Sequence, residues 1–316
     1  MTTVPPPDPE TLVAHSDIDL DALALAPGAY GRARRSRFRF LRRSAAVVWS
    51  NRRARAGLVL LALFVFVAVF ASVIAPYGLD DTFPPSQKAS WDHPLGTTTF
   101  GADVLTQLFY GTRISLSVGL LVGVIASVLS VAAGLMMGYM RGPVEHGLGF
   151  LTNLALVIPL LPLMIVLAAY LHGLGFMVFV LSVTSWAFGA RVIRAQVATL
   201  RERDFVQLGQ FSGESSLRIV FREVLPNMTS LVAVNFFLTA TFAVLGEVGI
   251  EFIGLGDPSQ VTWGTMLYWA QAGSALIAGQ WGWLLAPGIC IALLAAAFSL
   301  INFGVDALSN PRLREH

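Results

Sequence analysis

The sequence predicts an all-α, polytopic membrane protein with six transmembrane helices. Three observations carry this. First, 55% of the 316 residues are hydrophobic and only 13% are charged, whereas soluble globular proteins carry roughly 25% charged residues. Second, charges are missing over long stretches: Ile114 to Met140, Gly147 to Ala190, Val224 to Gly246 and Pro258 to Val305. A helix needs about 20 mainly apolar residues to cross the hydrocarbon, and a soluble core needs no such runs. Third, arginine and lysine alternate between the two sides of the chain once spans are drawn through those gaps.

The elements follow in order. Residues 1–31 are rich in proline, aspartate and alanine, with an acidic run, and read as a disordered cytoplasmic arm. Residues 32–56 interleave ten arginines with Phe38, Phe40, Leu41 and Trp49. That pattern predicts a basic amphipathic helix on the anionic inner leaflet, with the lipid bilayer as its partner rather than nucleic acid. The first span is placed at Gly57–Pro76. About 56 residues precede it, far more than the n-region of a cleaved signal peptide, so it is expected to be retained.

An outer loop, residues 77–110, follows. Asp103 is expected to favour the start of a helix carrying Leu105, Leu108 and Phe109. His93 precedes Pro94 and is read as a turn-capping residue rather than a ligand or acid–base group. The second span is placed at Ile114–Met140. The third and fourth are placed at Leu148–Leu171 and Leu174–Ile193, hinged at His172-Gly173. The third contains Pro159 and Pro162. Each removes a backbone donor and clashes with the preceding turn, which predicts a kink. Whether that kink lines a cavity or serves packing alone is open at this stage.

Residues 203–224 carry Arg203, Arg218 and Arg222 on the cytoplasmic side. Phe205, Leu208 and Phe211 recur at three-residue spacing. Gly213 interrupts. Leu217, Val220, Phe221 and Val224 then form a second apolar face. Two short helices at an angle are expected, with Pro226 marking a kink or the next helix start. A socket for a soluble partner and a loop lying on the membrane both fit.

The fifth span is Met228–Phe252, carrying Glu247 and Glu251 near its outer end, where a charge costs less than at mid-bilayer. They are read as gate carboxylates or as interfacial carboxylates capping a helix turn. A loop from Gly254 to Gln280 includes a turn at Trp263-Gly264. The sixth span is Trp281–Phe303, within a transmembrane region that extends to residue 305. Asn302 sits near its inner end as an interfacial group or a helix-to-helix contact. A tail, residues 306–316, carries Arg312 and Arg314, and both termini are expected in the cytoplasm. The single cysteine, Cys290, can form no intrachain disulfide and reads as a small apolar side chain.

Several functions are disfavoured. A secondary transporter would need polar or charged pairs at mid-membrane. A membrane enzyme would need clustered acid–base or metal residues, but the five histidines do not cluster in sequence. No GxxxxGK[ST] loop is present, so ATP binding by this chain is not expected.

Residues 205–227, "FVQLGQFSGESSLRIVFREVLPN", resemble the cytoplasmic coupling loop of ABC importer permeases. That pattern is Glu-Ala-Ala, three residues, Gly, nine residues, Ile, one residue, Leu-Pro. Gly213, Leu225 and Pro226 fall on it; Gln207, Leu208 and Gly209 replace the Glu-Ala-Ala, and Glu223 replaces the isoleucine. "HPLGTTTFGADVLTQLFYGTRISL", "IPLLPLMIVL", "GEVGIEFIGLGDPSQVTWGTMLYWA" and the C-terminal "WGWLLAPG" block are similar to further segments of that family. Together they identify the chain as resembling the C-type permease of dipeptide, oligopeptide and nickel ABC importers.

The resemblance implies the type I importer permease fold. It also implies a heterodimer with a homologous permease, two nucleotide-binding ATPase subunits and an extracytoplasmic solute-binding protein. ATP and Mg would be bound by the ATPases and no cofactor by this chain, which is then a transporter subunit rather than an enzyme. Phe205, Leu208, Phe211, Gly213, Leu217, Arg218, Phe221, Arg222 and Pro226 become candidates for coupling to the ATPases. Pro159, Pro162, Glu247, Glu251 and Asn302 become candidates for the pathway or gate. The implied setting is the bacterial cytoplasmic membrane and the implied substrate a peptide. Small oligosaccharides, nickel chelates and a non-transporting scaffold are the alternatives.

Overall fold

The computed structural model describes residues 51–168 and 173–309. The 1–31 arm, most of the 32–56 segment, the His172 side of the expected hinge and the end of the tail lie outside the described residues. Within them, five helices are long and apolar enough to cross a membrane, and a bent helix pair has the length and composition for a sixth crossing if it counts as one span.

Helix α1 (Arg52–Ile74) is capped by Asn51, whose side-chain oxygen accepts the Arg53 and Ala54 N–H groups at 2.9 and 3.3 Å. Residues 52–56 are therefore the first turns of the first span, continuous with it. The helix ends where Ala75 turns extended before Pro76, as a residue preceding proline tends to.

Helix α2 (Val104–Tyr139) has 36 residues and is the central element. It begins at Val104, well before the expected Ile114. Asp103 is its N-cap and accepts the Thr106 N–H at 2.8 Å. The outer-loop stripe and the second span are thus one helix about 54 Å long. It packs on α5, α8 and α1. Gly134 permits the α2–α5 approach: a Cβ there would lie 2.6 Å from the Ile193 side chain and 2.9 Å from the Ala190 carbonyl oxygen. Small residues at such crossings let helices pack through backbone contact.

Helices α3 (Pro143–Val157) and α4 (Leu160–Ala168) form the bent pair, at 80° to each other. The break falls at Ile158-Pro159. Pro159 has no N–H to continue the ladder. Pro162 does not break α4, because it stands in its first turn, where backbone donors have no partner within the helix anyway.

Helix α5 (Leu174–Arg201) follows Gly173, whose φ of +97° suits glycine. Two short helices come next, α6 (Asp204–Phe211) and α7 (Ser216–Ile219), separated at Gly213 with φ +76°. A π-helical turn (Val220–Val224) and a 3₁₀ turn (Leu225–Met228) join α7 to α8 (Thr229–Phe252). Pro226 lies in the 3₁₀ turn, so the chain stays helical past it. Helix α9 (Trp263–Ala272) and helix α10 (Trp281–Ser309) complete the fold. The turn expected at Trp263-Gly264 is instead the start of α9. Thr262 caps it, accepting the Thr265 N–H at 3.0 Å while Thr265 Oγ1 accepts the Thr262 N–H at 2.9 Å.

Candidate functional site

The 204–228 region is a projection with a buried root. Val206, Ile219, Val220 and Val224 pack with Leu135 and Tyr139 of α2 and with Ile193 and Val197 of α5. Gln210 Nε2 donates to the Tyr139 hydroxyl at 3.2 Å. The opposite side is apolar and open: Phe211 is 86% exposed, Leu217 67%, Leu208 64% and Phe221 58%. Phe205 is the least open of the set at 38%. The second apolar face expected from the sequence therefore splits. Val220 and Val224 turn inward, while Leu217 and Phe221, four apart, turn outward.

The polar members of this set have modest roles in the chain itself. Arg218 Nε lies 3.5 Å from Glu214 Oε1, a half-exposed pair of a kind that contributes little to stability. Arg222 and Pro226 are exposed. A side chain at Gly213 would meet no atom within 4 Å, so only its positive φ constrains it.

The bent span is held from inside. Met164 of α4 packs with Met177, Val180 and Leu181 of α5 and with Ile250 of α8. Pro159 and Pro162 themselves face outward from the chain. Asn302 is half-buried, and its Oδ1 is shielded with no hydrogen-bond partner among the described residues.

At the end of the bundle away from the arginines, Glu247 and Glu251 sit among three helices. Both are buried within the chain. They lie one turn apart on α8, facing α2 and the start of α9. Glu247 Oε1 accepts the Ser115 hydroxyl at 3.1 Å, and Ser115 Oγ accepts the Trp263 N–H at 3.2 Å. Glu251 Oε2 accepts the Thr262 hydroxyl, the residue that caps α9. Gly264 makes room: a Cβ there would lie 2.7 Å from the Glu251 Cβ. The two carboxylates thus join three helices.

His93 sits in a turn, its carbonyl accepting the Ser90 and Gly96 N–H groups at 2.9 Å each, and its ring has a further partner. Its Nδ1 lies 2.9 Å from Asp103 Oδ1, both side chains being buried, and its ring packs against Tyr77 and Phe83. It steadies the cap of α2 rather than a turn at Pro94 alone. Thr97 closes the loop around it: its hydroxyl donates to the Pro84 carbonyl and accepts the Gln87 N–H, both at 2.9 Å, and its carbonyl accepts from Gln280 at 3.1 Å.

Ser115, Thr262, Thr265 and Gln280 were not among the residues singled out from sequence. Thr262 and Thr265 carried a readable signal, since a hydroxyl residue followed three positions later by another polar group is a helix-start pattern. Ser115 carried none, being one hydroxyl among many in an apolar span. Among the described residues no three His, Cys, Asp or Glu side chains gather as metal ligands.

A helical bundle of five apolar spans and one bent helix pair, with a short-helix projection at its arginine-rich end, defines a polytopic all-α membrane protein. Residues 130–315 match the family of binding-protein-dependent transport system inner membrane components, and residues 32–91 match the N-terminal transmembrane domain of oligopeptide transport permease C. The chain belongs to this family and is a C-type permease subunit of the ABC importers. It is 32% identical to the dipeptide transport system permease protein DppC of Bacillus subtilis (strain 168), over 84% of this chain and 83% of that protein. It is 33% identical to a putative peptide permease protein of Brucella suis biovar 1, over 90% of this chain and 93% of that protein. The oligopeptide transport system permease protein OppC of Mycobacterium tuberculosis (strain ATCC 25618 / H37Rv) is 31% identical over 84% of this chain and 92% of its own length. The protein is accordingly an integral inner-membrane component of a transport system.

Proposed function

We propose that this chain forms half of the translocation pathway of an ATP-driven importer of dipeptides or oligopeptides, with the 204–224 projection docking a partner ATPase. The observation that carries this reading is the division of that projection. Its root is packed into α2 and α5, while Leu208, Phe211, Leu217 and Phe221 present an apolar tip. Exposed apolar surface of this kind marks an interaction site. A rigid root makes it a lever, because force on the tip passes to α5 and, through the π-helical turn, to α8.

The rest of the assembly follows from that role. A homologous permease supplies the other half of the pathway, two ATPases bind ATP and Mg, and an extracytoplasmic binding protein delivers substrate. Peptide is favoured by the names of the relatives. Both termini lie in the cytoplasm, on the side where the arginines gather. The bent α3–α4 pair forms one wall of the pathway. Glu247 and Glu251 hold the outer end of α8 to α2 and α9.

The test is ATP hydrolysis by the purified complex in lipid, with and without its binding protein and candidate peptides. Stimulation requiring both supports a coupled peptide importer. Stimulation by an oligosaccharide or a nickel chelate keeps the architecture and reassigns the substrate. Well-folded chain that associates with no ATPase overturns the docking role.

A further inference from the structure

We infer that the arginine-rich end of the bundle carries a binding site for the phosphate of an anionic phospholipid, in a cavity between α2, α3 and α5. The cavity measures about 200 Å³, and its polar lining is Arg141, Glu145, Arg194, Arg201 and Glu202. It is several times the roughly 30 Å³ that one water occupies in the liquid.

The charges in it are not equivalent. Arg194 Nη2 donates to Glu145 Oε1 at 2.7 Å, so this pair is internally satisfied and ties α3 to α5. Arg201 lies over the Tyr139 ring, 5.8 Å from its centroid. Stacking of that kind leaves the guanidinium edge free to donate. Arg141 is exposed, and no carboxylate among the described residues lies within ion-pair distance of it or of Arg201. Glu202 offsets one positive charge. The lining, with three guanidinium groups against two carboxylates, remains net positive. Helix α3 begins beside it at Pro143 with no side-chain cap, and a helix start adds a positive field.

Depth and surroundings select a lipid. Arg141 is the first charge after the stretch from Ile114 to Met140 that has none, and Arg194 and Arg201 follow Arg191, which ends the uncharged run of α5. The cavity therefore sits where hydrocarbon gives way to headgroups. Met136, Met140, Phe150 and Leu151 are exposed on the helices beside it, in place for acyl chains. Guanidinium groups match phosphate oxygens in geometry, and basic pockets between spans on the cytoplasmic side bind anionic headgroups. The Tyr139 ring beneath Arg201 also holds Gln210 of the projection, so the site adjoins the root of α6.

Native mass spectrometry of the delipidated full chain tests this, with phosphatidylglycerol, phosphatidylcholine and inorganic phosphate as separate probes. One phosphatidylglycerol is expected to be retained in preference to phosphatidylcholine. R141Q/R201Q should weaken that retention roughly tenfold or more. A198F, which narrows the cavity at constant charge, should also weaken it; Ala198 is part of the lining. R312Q/R314Q, which removes the same charge elsewhere, should not. Each variant is first checked for an unchanged melting temperature in detergent, and A198F decides if the arginine variant misfolds. Equal retention in both cavity variants, or equal loss in the tail variant, overturns the site. Saturation by inorganic phosphate with the same dependence on Arg141 and Arg201 overturns the lipid assignment.

Discussion

The two ends of this bundle are built on opposite rules. At the end away from the arginines, buried polar groups pair, His93 with Asp103, Thr97 with Gln280, Glu247 with Ser115 and Glu251 with Thr262, although Glu247 Oε2, Gln280 Oε1 and the Trp263 and Trp283 indole N–H groups are buried with no partner among the described residues. At the arginine-rich end, large apolar side chains are left open on two short helices, and the link to α8 passes through π and 3₁₀ turns. A buried, paired network specifies one arrangement of the backbone and is costly to disturb. An open apolar tip on a packed root adds little to the stability of the isolated chain, and exposed apolar surface of this kind marks an interaction site. The first end draws its polar contacts from within this chain, whereas the second leaves large apolar side chains uncovered.

That contrast predicts opposite responses to substitution. The largest loss of stability should come from the outer loop. Gly96 has φ +81°, and a Cβ there would lie 2.5 Å from the Gln87 carbonyl oxygen. Gly96→Ala meets both left-handed strain, about 1–2 kcal/mol, and a clash with backbone that has no rotamer to change. A clear fall in melting temperature in detergent is expected. An unchanged value would show that the loop is loose and remove the contrast.

Asp103→Ala comes next. It removes the α2 cap, typically about 1 kcal/mol, and leaves His93 buried without its partner, about 1–3 kcal/mol more. Asp103→Asn should recover much of this, since an amide oxygen can still cap. Thermal unfolding of the three proteins reads the difference, and equal melting of Asp103→Ala and the parent would show that the His93 pair is not holding the helix start.

At the other end, Phe211→Ala with Leu217→Ala should shift stability by less than about 0.5 kcal/mol, as exposed substitutions do. Substrate-stimulated ATP hydrolysis should nevertheless fall sharply in the assembled complex. A large drop in melting temperature would mean the tip is part of the core, and normal coupling would mean the docking surface lies elsewhere.

How far the sequence exposes each end follows from the same contrast. The spans, the interruption at Gly213 and the apolar spacing of Phe205, Leu208 and Phe211 are local patterns, and periodicity reports them. The burial of Glu247 and Glu251 is not local. It depends on α9 folding back so that Thr262 and Trp263 reach α8 and α2, and a charge near the end of an apolar run carries no sign of such a contact. The His93–Asp103 pair spans ten positions of irregular loop, beyond any helical or strand period. The inward turn of Val220 and Val224 is hidden for another reason. The π-helical turn rotates the face away from where a 3.6-residue period places it.

The smallest effect tests a departure from the family pattern. Gly209 stands where the resemblance has alanine, inside α6. A Cβ there would lie 3.5 Å from the Ile219 side chain, at ordinary contact distance. Nothing in the structure requires glycine at that point, and its φ is not positive. Gly209→Ala should therefore stabilise the projection by about 0.5–1 kcal/mol through helix propensity alone, read as slower amide exchange in residues 204–211. Coupling should be kept, because the new methyl faces the root rather than the exposed tip. A loss of coupling with a stabilised α6 would mean that the glycine supplies flexibility the lever needs, and that the projection works by bending rather than as a rigid arm.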